Sequence, residues 1–461
     1  MTTEQSSNLH FGGQQSNFPT TYLGLPVSPR KLKLVHFQFI VDRIRSRLAG
    51  WKGKLMNMAG RRVLVRAVLT ALPVFAMTVL KVPKKILKEV DKARRQLLWA
   101  QDENLMGAKC KVAWGDVCLP LAKGRLGLLD LRRFSTALRL RWLWLAWQEP
   151  RRPWMNFPPP CDKEDRELFS SATSVQLGNG KLAPFWTSNW IGSSTLHREF
   201  PALFHHSRRK NKTVADALTE DKWMRDLRHG NTAEIALEFL QMWRKIQRAG
   251  IVLSSEEDKI SWVAGAGGGS YSARAAYNLQ INDVPSSGIK VACWKAWAPG
   301  IVKIFAWLIL KNRLWCNDRL QRRGWPNGYF CTCCNRNLES STHLFWDCPF
   351  ARSVWQTMSS RFGCAALKEV RDPNHSSLKH WERIVAMTPQ SCRKGLKTML
   401  LLITWELWKE RNACVFRGKI PQTEDVLRAI RSALELWRLA GATCLEPPFG
   451  VETLSFFSLE G

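Results

Sequence analysis

Three cysteines and one histidine lie close together in the C-terminal half of the 461-residue chain. Cys331, Cys334, His343 and Cys348 follow the pattern C-x2-C-x8-H-x4-C within 18 residues. Three thiolates and one imidazole are a common tetrahedral ligand set for structural zinc, and a C-x2-C turn lets two sulfurs reach one ion. Protein ligands fill all four positions, so none remains for a catalytic water. The spacing therefore predicts a structural Zn2+ site.

The ligand set leaves two alternatives open. Cys333 could replace a neighbouring ligand, although a C-x-C pair is cramped. The cysteines could also be buried as small hydrophobic groups that bind no metal. His343 and Cys348 are five residues apart, which does not place them on one face of an ideal α-helix. The segment between them must bend or begin as a loop for both side chains to bind one ion.

No catalytic constellation is visible in the sequence. The chain contains no Asp-Asp pair. Acidic groups such as Asp162 with Asp165, or Glu256 with Asp258, lie in polar surroundings that are typical of solvated loops or helix caps. We therefore expect the chain not to be an enzyme.

The chain is strongly basic. It has 69 Lys and Arg against 38 Asp and Glu, and its formal net charge is +31. The first 150 residues hold 26 of the basic residues and 9 of the acidic ones. So much like charge attracts polyanions, which favours nucleic acid as the partner, whereas a solvated basic surface is the alternative. The candidate phosphate contacts are Arg43, Arg47, Lys84, Lys85, Arg94 and Arg95.

The 23 tryptophans have two interpretations. Rings interleaved with basic residues could stack on nucleic-acid bases. Trp142, Trp307, Trp405 and Trp408 lie in apolar runs, however, and we assign most of the tryptophans to the core.

The sequence predicts no membrane partner. Its longest apolar stretch, from Ala67 to Leu80, has 14 residues and contains Pro73, which is short of the roughly 20 that a spanning helix needs. The N-terminus has neither the basic nor the apolar region of a signal peptide. We expect a nuclear or cytoplasmic protein, in which the 13 cysteines do not form a disulfide framework.

The elements that position these residues are mostly helical. Helices are predicted from apolar spacing over 37–51, 63–80, 83–97, 232–248, 396–411 and 426–439. Pro73 should break the second helix, and Pro83 should begin the third. The Pro-rich stretch 150–160 is interpreted as a boundary or stiff linker. Strands are predicted over 183–186 and 260–263, and a hairpin loop over 265–269.

Residues 294–355 resemble the reverse-transcriptase zinc-binding domain of plant-type non-LTR (LINE) retroelements. The shared features are a Trp-Lys pair, a Phe-x-Trp helix, Asp318 and Leu320, and the C-x2-C…H-x4-C set, with Cys316 in place of the usual Thr. Other segments are similar to sequences between the polymerase palm and the end of the same elements. They are Tyr22–Pro26, Leu48–Lys54, Met58–Arg62, Gly124–Leu131, Leu177–Trp190 with Ser188 for the usual Asp, and Trp405–Phe416.

The resemblance implies nucleic-acid binding without polymerisation. In the family, polymerisation depends on a palm whose aromatic-x-Asp-Asp motif holds two divalent metals. This chain resembles only the region downstream of that palm, so we expect a truncated C-terminal portion of a reverse transcriptase. It would hold an RNA template or a DNA target independently of sequence, and other parts of a retroelement protein are a further candidate partner. A zinc-dependent protein-interaction module and a non-functional relic are the alternatives.

The predicted fold class is mainly α. The predicted domains are, in order, a disordered N-terminus (1–20), a basic helical thumb-like region (21–150), a mixed α/β middle segment (151–290), a small zinc-stapled helical domain (291–360), C-terminal helices (361–445) and an irregular tail (446–461).

Overall fold

The computed structural model describes residues 18–49, 55–100, 110–153, 157–228, 230, 232–264 and 269–445. The predictions for residues 1–17, 265–268 and 446–461 lie outside this part. Within it the fold is mainly α-helical, as predicted. The helices are α1 Gln38–Ala49, α2 Met58–Leu64, α3 Val74–Val79, α4 Lys84–Arg95, α5 Trp114–Val117, α6 Leu131–Gln148, α7 Lys163–Ala172, α8 Leu196–Glu199, α9 Pro201–His206, α10 Val214–Leu218, α11 Lys222–Arg225, α12 Ala233–Ala249, α13 Ala273–Leu279, α14 Gly300–Leu310, α15 Asn317–Gln321, α16 Pro349–Arg361, α17 Ser377–Ala386, α18 Arg393–Arg417 and α19 Thr423–Leu439.

Four short strands accompany the helices in the described residues. They are β1 Thr20–Tyr22, β2 Leu25–Val27, β3 Thr173–Gln176 and β4 Lys259–Trp262. β1 pairs with β2 and β3 pairs with β4, both antiparallel. The second pair gives the middle of the chain the mixed α/β character that the sequence predicts.

The described residues divide between two compact units, and each unit is assembled from separate stretches. Unit 1 takes its residues from Met1–Trp51, Leu69–Ala93 and Leu131–Leu279, and unit 2 from Lys52–Val68, Arg94–Asp130 and Gln280–Gly461. The predicted boundaries at 150 and 360 do not coincide with this division. α6 and α7 flank the Pro-rich stretch but pack together in unit 1, and α18 packs on α14 in unit 2. Apolar faces on either side of each predicted boundary cover one another.

Helix α6 is central to unit 1. It packs against α3, α7 and α13. Arg139 on α6 forms a buried two-pronged ion pair with Asp165 on α7, with N–O distances of 3.0 and 2.9 Å. The Trp142 indole donates a hydrogen bond to the backbone oxygen of Thr78 at 2.6 Å. Since removal of either member of a buried ion pair leaves an uncompensated charge, this pair specifies how α6 and α7 pack.

A buried carboxylate organises the loop after β3. Asp258 accepts four backbone hydrogen bonds of 2.8–3.1 Å, from Gly178, Gly180, Leu182 and Ala183. A Cβ atom on Gly178 would lie only 2.3 Å from the backbone oxygen of Glu256. Close backbone packing therefore requires glycine at position 178.

Helix α14 is central to unit 2. Residues 304–310 are all buried, and the helix packs against α2 and α18. The Phe305 ring contacts Trp405 and Trp408 on α18, with centroids 5.0 and 5.8 Å apart, and Phe345 at 6.0 Å. Because Phe345 lies between two of the predicted metal ligands, α14 connects the predicted zinc segment with α18.

Most predicted elements agree with the structure. α3 begins straight after Pro73, α4 straight after Pro83, and β4 confirms the strand predicted over 260–263. The strand predicted over 183–186 is wrong. The amide of Ala183 is bound by Asp258, so it is not free for a strand partner, and Pro184 makes only an isolated bridge. None of the helices in the described part of the chain combines the length and apolarity that crossing a bilayer requires.

Candidate metal centre

Cys331 and Cys334 lie on a tight turn at the tip of a short hairpin. The amide of Asn335 donates to the Cys331 oxygen at 2.7 Å, and the amide of Cys331 donates to the Asn337 oxygen at 2.8 Å. Asn335 has a left-handed φ of 53°, a conformation that asparagine tolerates better than most residues. The turn keeps the two sulfurs within 4.8 Å of each other.

His343 and Cys348 reach the same point through a π-helical turn. His343–Asp347 forms this turn, and the Cys348 amide donates to the His343 oxygen at 2.8 Å. This i to i+5 hydrogen bond brings into register two residues that a regular α-helix would place on different faces. Pro349 begins α16 directly afterwards. The bend predicted from the spacing is therefore a π turn.

The four ligand atoms form a compact cage. All of them lie within 4.8 Å of one another. The Cys331 and Cys348 sulfurs are 3.9 Å apart, and the Cys334 sulfur lies 3.3 Å from His343 Nε2. Zinc bonds of about 2.3 Å to sulfur and 2.0–2.1 Å to nitrogen give tetrahedron edges of about 3.5–3.8 Å. The donor set and these distances fit one zinc ion.

The sulfurs of the cage concentrate negative charge. Hydrogen bonds from Cys333 and Cys348 lower the pKa of Cys331, which favours its thiolate. The hydrogen bond with Cys331 and burial raise the pKa of Cys348. Burial acts to lower the pKa of His343, but hydrogen bonds with Cys331 and Cys334 outweigh it and raise that pKa. A divalent cation satisfies such a cluster better than protons shared among sulfurs do.

Cys333 lies beside the cage without belonging to it. It is buried, and its hydrogen bond with Cys331 raises the Cys333 pKa, so it remains a thiol. It also hydrogen-bonds with Cys414 on α18. Cys333 is thus suited to donate to a ligand sulfur, a contact that supports metal ligands in many sites.

A buried ion pair fixes the chain between the ligands. Glu339 lies between Cys334 and His343 and accepts two hydrogen bonds from Arg411 on α18, at 2.9 and 2.5 Å. It also accepts from the backbone amide of Asn317, the first residue of α15, at 3.2 Å. The carboxylate therefore ties the ligand segment to two helices of unit 2.

The predicted phosphate contacts differ in their exposure. Four of them are exposed in unit 1, on α1 and α4, and these are Arg43, Arg47, Lys84 and Lys85. Whether these side chains bind phosphate stays a prediction.

Arg94 requires a correction, because it is buried completely. It lies one helical turn after the buried Val90, on the inner face of α4. Its guanidinium donates to the Leu129 oxygen at 2.9 Å and covers the Trp114 ring at 5.3 Å. A phosphate cannot reach it there. Arg95, which is partly exposed, lies 5.9 Å from the same ring.

An aromatic and basic surface that was not predicted lies just before the cage in sequence. Two tryptophans and two arginines stack there, namely Trp315, Arg319, Arg323 and Trp325. Trp315, Arg319 and Arg323 are spaced four residues apart, and residues at this spacing share one face of a helix. That spacing could have revealed the surface.

The comparisons with known proteins concern the same region and the whole chain. A protein-family model described as zinc-binding in reverse transcriptase matches residues 271–355, which contain all four ligands. A putative ribonuclease H protein from Arabidopsis thaliana is 25% identical over 451 residues, covering 90% of this chain and 70% of that protein. Together with the geometry of the cage, the family match identifies a structural zinc site.

Proposed function

We propose that this chain is a retroelement-derived, zinc-containing nucleic-acid-binding protein that lacks a polymerase core. The observation that carries the proposal is the Cys3His cage, which lies within the stretch similar to the zinc-binding part of reverse transcriptases. Zinc would cross-link the hairpin to the π turn and so order the segment between α15 and α16. The four protein ligands leave no open position for zinc catalysis.

The charge of the chain supports nucleic acid as the partner. The net charge is +31, and the four exposed basic side chains on α1 and α4 extend into solvent. Contacts to phosphate carry no sequence information, so binding should be independent of sequence. RNA template and DNA target are the two candidate ligands, and both place the protein in the nucleus or cytoplasm.

The absence of paired catalytic carboxylates supports a binding role. Polymerases and many nucleases use two metal ions held by carboxylates. The 461 residues contain no Asp-Asp pair, which the polymerase motif requires, so we expect no primer extension by this chain. Primer extension by purified protein with Mg2+ would contradict this part of the proposal.

The test is the salt dependence of binding by the zinc-loaded full chain. Fluorescence anisotropy with labelled RNA and DNA should show affinity falling steeply with salt, by about 10³-fold or more between 50 and 200 mM if six or more phosphates are contacted. A combined variant with Arg43, Arg47, Lys84 and Lys85 changed to Gln should flatten this slope. Exposed arginines on α19, such as Arg438, supply the matched control. A chain that is stably folded but binds neither RNA nor DNA would contradict the proposal.

A protein-interaction module is the second candidate function. Helix α12 exposes three apolar side chains at three-residue steps, Leu237, Leu240 and Trp243, which supports a protein partner. Burial of apolar side chains does not weaken as salt rises. Binding that persists at high salt would therefore favour this candidate over nucleic acid.

A further inference from the structure

The surface just before the metal cage interleaves indole rings with guanidinium groups. We call Trp315, Arg319, Arg323 and Trp325 the Trp–Arg surface. Arg319 and Arg323 lie 4.4 and 5.1 Å from the Trp315 ring, and Arg323 lies 5.7 Å from the Trp325 ring. The two indoles are 5.0 Å apart, and both are partly exposed. The four groups thus form one continuous stack at the surface of unit 2.

Positive charge exceeds negative charge around this stack. Arg313 and Arg322 are exposed beside Arg319, and the nearby carboxylate is Asp318, which pairs with Arg322 at 2.6 Å. Burial and three neighbouring arginines lower the pKa of Arg319 to about 10. Burial, Arg319 and a further arginine lower the pKa of Lys111 to about 8. Such crowding of cations would be relieved by an anion.

Arg319 itself holds an unsatisfied donor. Its side chain is only 7% exposed, and its Nη2 donates to the backbone oxygen of Lys111 at 3.1 Å. Its Nη1 finds no hydrogen-bond acceptor among the described residues. A buried guanidinium nitrogen without an acceptor is costly, so the position of Arg319 in the stack is maintained against a local energetic cost.

Two more aromatic rings stand exposed next to the cage. The side chains of Tyr329 and Phe330 are 45% and 49% exposed. Two hydrogen bonds fix their backbone. The Tyr329 amide donates to Asn327 Oδ1 at 3.0 Å, and the backbone oxygen of Tyr329 accepts from the Glu339 amide at 3.1 Å. Tyr329 has a left-handed φ of 58°, which is strained for a bulky residue. The hairpin therefore holds these rings in solvent against a local conformational cost.

We propose that the Trp–Arg surface together with Tyr329 and Phe330 binds single-stranded nucleic acid by stacking bases on its rings. Aromatic rings and guanidinium planes stack on the faces of bases, while the excess positive charge holds phosphates. A duplex hides its base faces, so only a single strand offers both groups at once. This inference rests on the proposed function and identifies the type of strand and the residues that contact it.

The experiment compares single strands with duplexes on the zinc-loaded full chain. The probes are labelled oligo(dT) and oligo(U) of about 12 nucleotides and a duplex of the same length. Trp325→Ala and Tyr329→Ala should each weaken single-strand binding about tenfold and leave duplex binding within about twofold. A 2-aminopurine base in the strand should be quenched on binding wild-type protein and less so on binding either variant.

Controls separate a lost stacking contact from a damaged fold. Trp147→Ala removes a partly exposed tryptophan on α6, and Arg438→Gln removes an exposed arginine on α19. Neither substitution should change single-strand binding. Tyr329→Gly removes the ring and relieves the left-handed strain, so its melting temperature should be no lower than that of wild type. Weaker binding by this variant would then reflect the missing ring.

The possible outcomes distinguish this inference from the proposed function. Wild-type protein that binds neither strand nor duplex would contradict the proposed function and this inference with it. Single-strand binding that is unchanged in Trp325→Ala and Tyr329→Ala would overturn the stacking surface alone. Equal losses on single strand and duplex would also overturn it. Displacement of the strand by an equally charged poly-glutamate would assign the surface to acidic proteins instead.

Discussion

At the scale of single residues, each metal ligand is held by hydrogen bonds of its own segment. The C-x2-C turn orients two sulfurs, and the π turn orients His343 and Cys348. Four donor atoms that converge on one point make a complete tetrahedral site, so the cage should bind one zinc per chain. A structural zinc ion needs four ligands. The loss of any one of the four side chains should therefore greatly lower the affinity for zinc.

His343→Ala is expected to lower the zinc content from about one ion per chain to near zero after dialysis. Metal analysis and the melting temperature of the full chain measure the two effects. His375→Ala is the matched control, because His375 lies in unit 2 outside the cage. Unchanged zinc content in His343→Ala would show that another side chain, such as Cys333, takes the fourth position.

The acidic residues show how one residue type serves two structural purposes. Asp162 and Asp165 cap the start of α7 through reciprocal hydrogen bonds, as the sequence interpretation allowed. Asp258 is buried, as Asp165 is, but it binds the loop after β3. Its partners are backbone amides 75–80 residues earlier in the chain, so local polarity gave no indication of its burial.

At the scale of elements, the loop after β3 leaves no room for a side chain at Gly178. Gly178→Ala would place a Cβ atom 2.3 Å from one backbone oxygen and 2.7 Å from the next, at Glu256 and Glu257. Because backbone cannot rotate away as a side chain does, we expect a loss of about 1–3 kcal/mol in the free energy of unfolding. Thermal and urea unfolding of the full chain measure it.

Gly115→Ala provides the matched control for this substitution. Gly115 lies in α5, and a Cβ atom added there meets nothing within 4 Å. Alanine is favoured over glycine within a helix, so this variant should be as stable as wild type or slightly more stable. Equal stability of the two variants would show that the loop after β3 can move away from residues 256–257.

Helix α17 brings a buried histidine against the π turn. His380 is 1% exposed, and its ring meets Trp346 edge to face at 4.9 Å. Burial, followed by the charge of Arg371, lowers the His380 pKa from 6.5 to about 4. The unfolded chain therefore takes up this proton first as the pH falls. The stabilisation that neutral His380 gives the folded protein is fully present above about pH 6.5. As the pH falls from about 6.5 to 4, the free energy of unfolding loses about 3 kcal/mol through this residue.

His380→Phe should flatten the acid side of the stability curve. Phenylalanine keeps an aromatic ring against Trp346 but does not titrate. Protonation of the zinc ligands also destabilises the protein in this pH range, so the useful quantity is the difference between variant and wild type. The free energy of unfolding of the variant should rise relative to wild type as the pH falls from 6.5 to 4. If the free energies of unfolding of variant and wild type instead changed in parallel with pH, His380 would keep its ordinary pKa.

At the scale of the whole molecule, local patterns predicted more than long-range packing did. Apolar spacing located most helices, and ligand spacing located the metal cage, because both depend on residues near one another in sequence. The division into units was not predicted, since α6 and α7 cover each other across a Pro-rich stretch that looked like a linker. The Glu339–Arg411 ion pair joins residues 72 positions apart, and no local pattern marks such a pair.

Removal of zinc should increase hydrogen exchange in unit 2 but not in unit 1. All four ligands belong to unit 2, and Glu339 connects their segment to α15 and α18. The α6 core of unit 1 depends on its own contacts, such as Arg139 with Asp165. After chelation, backbone amides of residues 331–348 and of the second half of α18 should exchange hydrogen faster by mass spectrometry, while those of α6 should not change. Restoring zinc should reverse the effect. Equal acceleration in both units would mean that the metal stabilises the entire chain, and no acceleration in residues 331–348 would mean that it orders nothing.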